Sequence, residues 1–337
     1  MRLNNPVKSV KRIVIDKAPI EAQLIVTRRC NLSCGYCSEY DNFSQPIPLD
    51  VMKERIDALH RLKTVHISLL GGEPLLHPQI DDIVAYAGRQ AQVSLTTNGF
   101  LLSEKMIQRL NDAGLSNMQI SVDALRSDAR GYIQKSFKSV EPKLQRLLQQ
   151  AKFGININIV LCDGTMDDLR AMVDRLKALG VSVSIGLLHD EKGGIAITGA
   201  DAVALWDYHY ETSNTIAHVE HDYGRQLLSG ERPAWKCRAG ARYIYVDEFG
   251  KAQYCSAQRG RLDKPITTYT RADLREQARS EKGCESGCAM FCSFRTSQLD
   301  NAPLDTVKAF YRVVRSVDLL NPEKLLRRNR HAVPASS

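Results

Sequence analysis

From about residue 21 to residue 190 the chain alternates short apolar runs with longer amphipathic stretches. The runs 21–27, 64–70, 91–97, 117–123, 155–161 and 181–188 predict strands, and their nearly continuous apolar character predicts a sheet covered on one or both faces. Between them, 51–63, 79–90, 103–114, 140–154 and 166–180 carry apolar residues at helical spacing, several closing at a glycine such as Gly114, Gly154 or Gly180. Strand and helix repeat as six consecutive β–α units, the pattern of parallel strands joined by right-handed crossovers. Such a sheet either opens into a doubly wound fold or curls into a barrel, and both place ligands at the C-terminal ends of the strands. Three unusual loops fall at that edge: Cys30–Cys37 after the first strand, Gly71–Pro74 after the second, and Asn98–Gly99 after the third.

After residue 190 the pattern changes. A Gly-rich segment leads into an aromatic-rich stretch over 201–230, and 241–255 predicts a hairpin turning at Glu248–Gly250. Residues 303–327 predict a terminal helix. The expected division is an N-terminal extension (1–20), a partial barrel (21–190), a connecting, substrate-facing segment (191–235), a small cysteine-bearing domain (236–300), and a C-terminal helix with a basic tail (301–337).

The length of 337 residues suits one large or two unequal domains, and 43% hydrophobic with 25% charged residues is an ordinary globular composition. No apolar run approaches the roughly 18–20 residues of a membrane span, and the N-terminus lacks the apolar core of a signal peptide. A cytoplasmic protein without membrane contact is expected. Part of the net charge of +8 sits in the basic ends, KSVKR and EKLLRRNRH. No basic stripe is interleaved with aromatics, so nucleic acid is not the expected partner.

The 9 cysteines change the picture more. An odd number without an export signal argues against a disulfide framework, and two tight clusters argue for metal. Cys30-x3-Cys34-x2-Cys37 packs three thiolates into one loop, enough for three corners of a cubane iron–sulfur cluster with one iron left open, whereas zinc calls for a fourth nearby ligand. Cys237 and Cys255 bracket the hairpin, and Cys284-x3-Cys288-x3-Cys292 puts three thiols on one face if the segment is helical. Cys162, ending the fifth strand, reads as a small buried hydrophobe. His218 and His221 read as a surface or core pair.

The first loop resembles the signature of radical S-adenosylmethionine (radical SAM) enzymes, C-x3-C-φ-C, with Tyr36 as the aromatic before the last cysteine. Gly71-Gly72-Glu73-Pro74 resembles that family's GGEP motif, Thr97-Asn98-Gly99 its TNG, and Ser121-Val122-Asp123 its SxD. The resemblance implies an α/β fold, a partial (β/α)6 barrel of parallel strands with a small C-terminal auxiliary-cluster domain. It further implies a [4Fe–4S] cluster on Cys30, Cys34 and Cys37, and S-adenosylmethionine held by Tyr36, Gly71, Gly72, Glu73, Pro74, Asn98, Ser121 and Asp123. The glycines are expected where backbone closely approaches the ligand. The activity implied is reductive cleavage of S-adenosylmethionine to a 5′-deoxyadenosyl radical that abstracts a hydrogen atom from a small-molecule or peptide substrate. Two-electron oxidation, epimerisation, and modification of RNA or protein all stay open beyond that point, with a non-catalytic iron–sulfur or zinc protein as the alternative class. A flavodoxin- or ferredoxin-type electron donor is the implied partner.

Cys237, Cys255, Cys284, Cys288 and Cys292 resemble the SPASM and twitch auxiliary domains of the same superfamily. Five cysteines rather than seven imply one auxiliary [4Fe–4S] cluster on Cys237, Cys255 and two of the last three, with a zinc site as the alternative. The absence of a domain before the barrel favours a small metabolite over a large peptide.

Overall fold

A computed structural model describes residues 6–127, 133–162, 165–211 and 218–304. Helix α1 (Pro6–Val14) precedes six parallel strands: β1 (Glu21–Thr27), β2 (His66–Gly71), β3 (Gln92–Thr97), β4 (Asn117–Ser121), β5 (Gly154–Leu161) and β6 (Ser182–Leu187). Between them run α2 (Leu49–Arg61), α3 (Ile80–Gly88), α4 (Glu104–Asp112), α5 (Phe137–Gln150) and α6 (Met166–Ala178). The strands stand in sequential order with no reversal, which decides between the two architectures. A doubly wound sheet reverses its order to receive helices on both faces; sequential right-handed crossovers put every helix on one face and curl the sheet around the other. The sheet is unclosed, as in a partial barrel.

The strands alternate more than the apolar runs suggested. Leu24, Leu69, Leu95, Ile120, Ile159 and Ile185 point outward and pack under the helices in one continuous core. The positions between them carry Gln23, Ser68, Ser94, Gln119, Asn158 and Ser184, so the inner face is polar. These side chains bond across strands: His66 Nε2 lies 2.7 Å from Ser94 Oγ, Ser94 donates to Ser68 at 3.1 Å, and Ser184 donates to Asn158 Oδ1 at 2.9 Å. Of the two alternatives, cover on one face or on both, the helices cover one, while the inner face mixes these polar side chains with Ile25, Leu70 and Val160.

Beyond β6 come α7 (Ala200–Glu211) and α8 (His218–Leu228), then the expected hairpin as β7 (Tyr243–Val246) and β8 (Lys251–Gln253), followed by β9 (Lys264–Pro265), α9 (Arg271–Arg279) and α10 (Phe291–Asn301). Strand β7 pairs in parallel with β1, so the hairpin continues the barrel sheet to nine strands. The terminal helix expected over 303–327 lies outside the described residues from 305 onward. In the basic N-terminal segment Arg12 is buried and donates to Gln90 O at 2.6 Å, which docks α1 to the barrel. Among the described residues no helix is long and apolar enough to cross a membrane.

His209 on α7 is 1% exposed, and burial, assisted by Lys177, lowers its pKa from 6.5 to about 4. Between these values the unfolded chain binds a proton that the folded chain refuses, so this contribution is whole above pH 6.5 and is lost as pH falls toward 4. It amounts to about 3 kcal/mol over the full window. Urea unfolding at pH 7 and pH 5 is expected to show a steeper acid loss in the wild type than in His209→Gln; equal slopes contradict the assignment.

Candidate functional site

The cysteine loop leaves β1 and closes on itself. Cys30 N donates to Asp41 O at 2.9 Å and Asp41 N returns to Arg28 O at 2.8 Å. Within it Leu32 N points at Cys30 Sγ at 3.4 Å. Burial pushes the Cys30 thiol up to about 11 and raises Cys34 as well. Such thiols keep their protons at neutral pH, and binding a metal displaces them.

The second loop is fitted against the first. A Cβ on Gly71 would lie 2.0 Å from Thr27 O, and one on Gly72 2.3 Å from Arg28 O and 2.4 Å from Arg29 O. Gly72 N and Glu73 N donate to Thr27 O and Arg29 O, both at 2.9 Å. The close approach expected at these glycines is therefore to the chain's own backbone at the root of the cysteine loop. Gly72→Ala is expected to force that root outward, with about 1–3 kcal/mol lost in thermal unfolding and poor iron loading. Unchanged iron content and melting temperature would refute this.

Glu73 does not face the ligand cleft. It is fully buried, and its carboxylate accepts from Thr97 Oγ1 at 2.7 Å, Asn98 N at 2.8 Å and Leu75 N at 3.0 Å, so it pins the third loop to the second. Pro74 is buried and opens a short 3-10 turn. Asn98 Nδ2 in turn donates to Asn31 Oδ1 at 2.8 Å, bracing the third loop against the first.

The three loops enclose a cleft of about 160 Å³ lined by Cys30, Cys34, Cys37, Gly71, Gly72, Asn98 and Ser121, together with Tyr40, Thr96 and Lys135. Three thiols line one cleft, the donor set a cubane cluster would take, although among the described residues they are not drawn together to metal-holding distance, and a polar wall faces them. Leu70, Thr96 and Ser121 belong both to this wall and to the inner face of the sheet, so the cleft opens onto that face.

Asp123 and Tyr36 sit behind the wall. Asp123 is fully buried, accepts the Tyr36 hydroxyl proton, takes Val160 N at 3.2 Å and pairs with Lys135 Nζ at 3.1 Å. The carboxylate is thus engaged by the protein's own donors. Lys135, which no motif singled out, lies 4.9 Å from the centre of the Tyr36 ring. Burial opposes its charge, but Asp123 and the neighbouring Cys34 outweigh burial and raise its pKa. Nothing in its local sequence marks it, because the pairing joins the segment before α5 to the end of β4. Arg28, beside the cysteines, is also committed: it pairs with Glu39 at 3.1 Å, and Glu39 is shared with Tyr245 and Arg259, which ties the loop to the hairpin.

The second group of thiols divides. Cys237 and Cys255 are buried at the two ends of the hairpin, and each feels the charge of Cys284, while Cys288 feels all three. Cys284 and Cys288 lie in a turned segment before α10, with Gly287 at φ +77, so of the helix or loop open to this segment the loop carries the first two thiols. Cys292 alone is helical. Its thiol accepts from Gln23 Nε2 at 3.3 Å, it packs against the cluster that includes Cys237 and Cys255, and the charges acting on it are those of Glu21, Arg295 and Glu220. Cys237, Cys255, Cys284 and Cys288 thus lie within electrostatic reach of one another, while among the described residues no three such donors stand close enough together to hold a metal ion. Cys162 is buried, and His221 pairs with Asp207 at 2.8 Å.

Residues 24–151 match the family model for the Radical SAM superfamily. Over 174 residues the chain is 30% identical to a probable GTP 3′,8-cyclase of Methanococcus maripaludis, a match covering 48% of this chain and 57% of the relative. Over 254 residues it is 28% identical to the PqqA peptide cyclase of Granulibacter bethesdensis, covering 69% and 66%. The chain spans about half the length of the GTP cyclases it matches. Its fold is similar to that of Streptococcus suis SuiB bound to the precursor peptide SuiA, with a TM-score of 0.61, 16% identity, and coverage of 85% and 76%. The match to the Radical SAM superfamily model runs from inside β1 to the end of α5, across every loop of the cleft.

Proposed function

We propose that this chain cleaves S-adenosylmethionine reductively and abstracts a hydrogen atom from a substrate held on the polar inner face of the barrel. The observation that carries the reading is the convergence of three thiols and the second and third loops on one cleft open to that face. When bound, the cluster and S-adenosylmethionine supply the 5′-deoxyadenosyl radical, and an auxiliary cluster supplies a place for the electron left after hydrogen abstraction. Cys30, Cys34 and Cys37 hold the first cluster, and Cys237, Cys255, Cys284 and Cys288 hold the second. Gly71, Gly72, Asn98 and Ser121 present the polar wall that S-adenosylmethionine meets. Lys135 lines the cleft beside them, and Glu73, Tyr36 and Asp123 hold that wall in register from behind. A flavodoxin- or ferredoxin-type protein delivers the electron. A two-electron oxidation suits two clusters, and the relatives named as cyclases of a peptide and of GTP make a peptide or a small metabolite the two substrate kinds to test.

The test is electron paramagnetic resonance of the reduced protein, in a Cys255→Ala/Cys288→Ala background that silences the auxiliary site. Adding S-adenosylmethionine is expected to shift the remaining cluster's signal. A signal indifferent to S-adenosylmethionine contradicts the reading.

A further inference from the structure

The loop of the first three cysteines and the turn that follows Cys255 meet in a closed ring of charge. Glu39, two residues after Cys37, takes three donors on the one oxygen Oε2: Arg28 Nη1 at 3.1 Å, the Tyr245 hydroxyl at 2.7 Å and Arg259 Nη2 at 2.7 Å. Arg259 Nη1 turns to Glu248, at 2.8 and 3.0 Å from its two oxygens. Glu248 Oε1 lies 3.9 Å from Arg28 Nε, which closes the ring. Arg259 Nη2 also donates to the Tyr245 hydroxyl at 2.6 Å, and its guanidinium lies 5.3 Å from the centre of the Tyr245 ring. Two arginines and two glutamates alternate, so each charge stands between opposite ones. The four side chains are only 17–30% exposed, so water screens these pairs less than it screens pairs on an open surface.

Each side of the ring is fixed to one of the two groups of thiols. On the loop side, Arg28 Nη2 donates to Ser38 O at 2.9 Å, so Arg28 before Cys30 and Glu39 after Cys37 clasp the loop at both ends. The Arg28 carbonyl oxygen is the atom nearest to a Cβ built on Gly72, at 2.3 Å. Gly72 lines the cleft, and so does Tyr40, the neighbour of Glu39. A displacement of Arg28 or Glu39 therefore reaches the cleft wall at two places. On the hairpin side, Arg259 ends the short turn Ser256–Gln258 that begins at Cys255, and Gln258 N donates back to Cys255 O at 3.2 Å. Taking the charge from Glu39 leaves two guanidinium groups directed at one neutral oxygen, where their repulsion is no longer balanced.

We propose that Glu39 is a positioning residue that couples the cleft to the hairpin: through Arg259, Glu39 and Arg28 the hairpin holds the cysteine loop in the form that binds S-adenosylmethionine. The assignment rests on the radical reading above and adds to it a dependence of the cleft on a segment more than 200 residues away in sequence.

Isothermal titration calorimetry of S-adenosylmethionine into the unreduced, cluster-loaded chain tests it, together with hydrogen–deuterium exchange over residues 255–260. Glu39→Gln is expected to weaken S-adenosylmethionine about tenfold, within the usual span of coupling between sites. Arg259→Gln, on the far side of the ring, is expected to do the same, and Arg259→Lys to restore part of the loss. The double variant Glu39→Gln/Arg259→Gln is expected to bind no more weakly than the weaker single one, because both cut one link. Coupling is reciprocal, so S-adenosylmethionine is expected to slow exchange over 255–260 in the wild type and not in Glu39→Gln. A merely structural role would lower stability without that response. If Glu39→Gln fails to fold, Arg259→Lys and the exchange response of the wild type carry the test. Wild-type affinity in Glu39→Gln, losses that add in the double variant, or wild-type exchange over 255–260 indifferent to S-adenosylmethionine overturns the proposal and leaves the radical reading standing. A wild type that binds no S-adenosylmethionine at all sinks the radical reading, and the coupling with it.

Discussion

Alanine at any one of Cys30, Cys34 or Cys37 is expected to lower 5′-deoxyadenosine formation by about 10³-fold or more, because the chemistry resides in the cofactor that these thiols hold. The three are not interchangeable with other nearby donors: Cys30 sits on the loop closed by Asp41, Cys34 is buried beside Lys135, and Cys37 is bonded back to the Cys34 carbonyl. Iron analysis makes the result specific. Each variant is expected to lose about four irons per chain and to retain those of the auxiliary site. Full iron content with lost activity would assign the cysteines a different role, and retained activity would contradict the site altogether.

Lys135→Met comes next in expected effect. Asp123 is fully buried, and without the ammonium group 3.1 Å away its charge keeps only the Tyr36 hydroxyl and Val160 N. Breaking such a pair by removing one partner costs about 3–5 kcal/mol. The Tyr36 ring loses the cation on its face as well, and Tyr36 sits immediately before Cys37. Chemical denaturation should show the stability loss, and affinity for S-adenosylmethionine should fall with it. Asp123→Asn combined with Lys135→Met removes both charges and is expected to recover much of the stability. Wild-type stability in the single variant would show that the pair carries no weight.

The strand and helix positions were legible because each element carries its own period. Residues 21–27 form β1 as expected, and the five helices that follow lie where helical spacing put them. The loops were legible because Cys, Gly-Gly and Asn-Gly residues sit at strand ends, where the parallel sheet collects them. What stayed hidden depends on tertiary contact. Glu73 reads as a ligand residue in its motif but spends its carboxylate on Thr97 and Asn98, some 25 residues away in sequence. Lys135 has no local signal, and the parallel pairing of β7 with β1 joins segments more than 200 residues apart. The spacing of Cys284, Cys288 and Cys292 suggested one helical face, yet Gly287 takes a left-handed turn there and sends Cys292 to the barrel side. The polar positions of the inner face were visible in runs such as ININIVL and VSVSIGLL, where Asn156, Asn158, Ser182 and Ser184 alternate with apolar residues, but β-branched neighbours masked the alternation.

The most direct measurement is anaerobic. The reconstituted, dithionite-reduced chain is mixed with S-adenosylmethionine, and 5′-deoxyadenosine is quantified beside the Cys30→Ala/Cys34→Ala/Cys37→Ala variant. The account predicts 5′-deoxyadenosine from the wild type and none from the variant. A fully iron-loaded wild type that forms none, or a variant that forms as much, contradicts it.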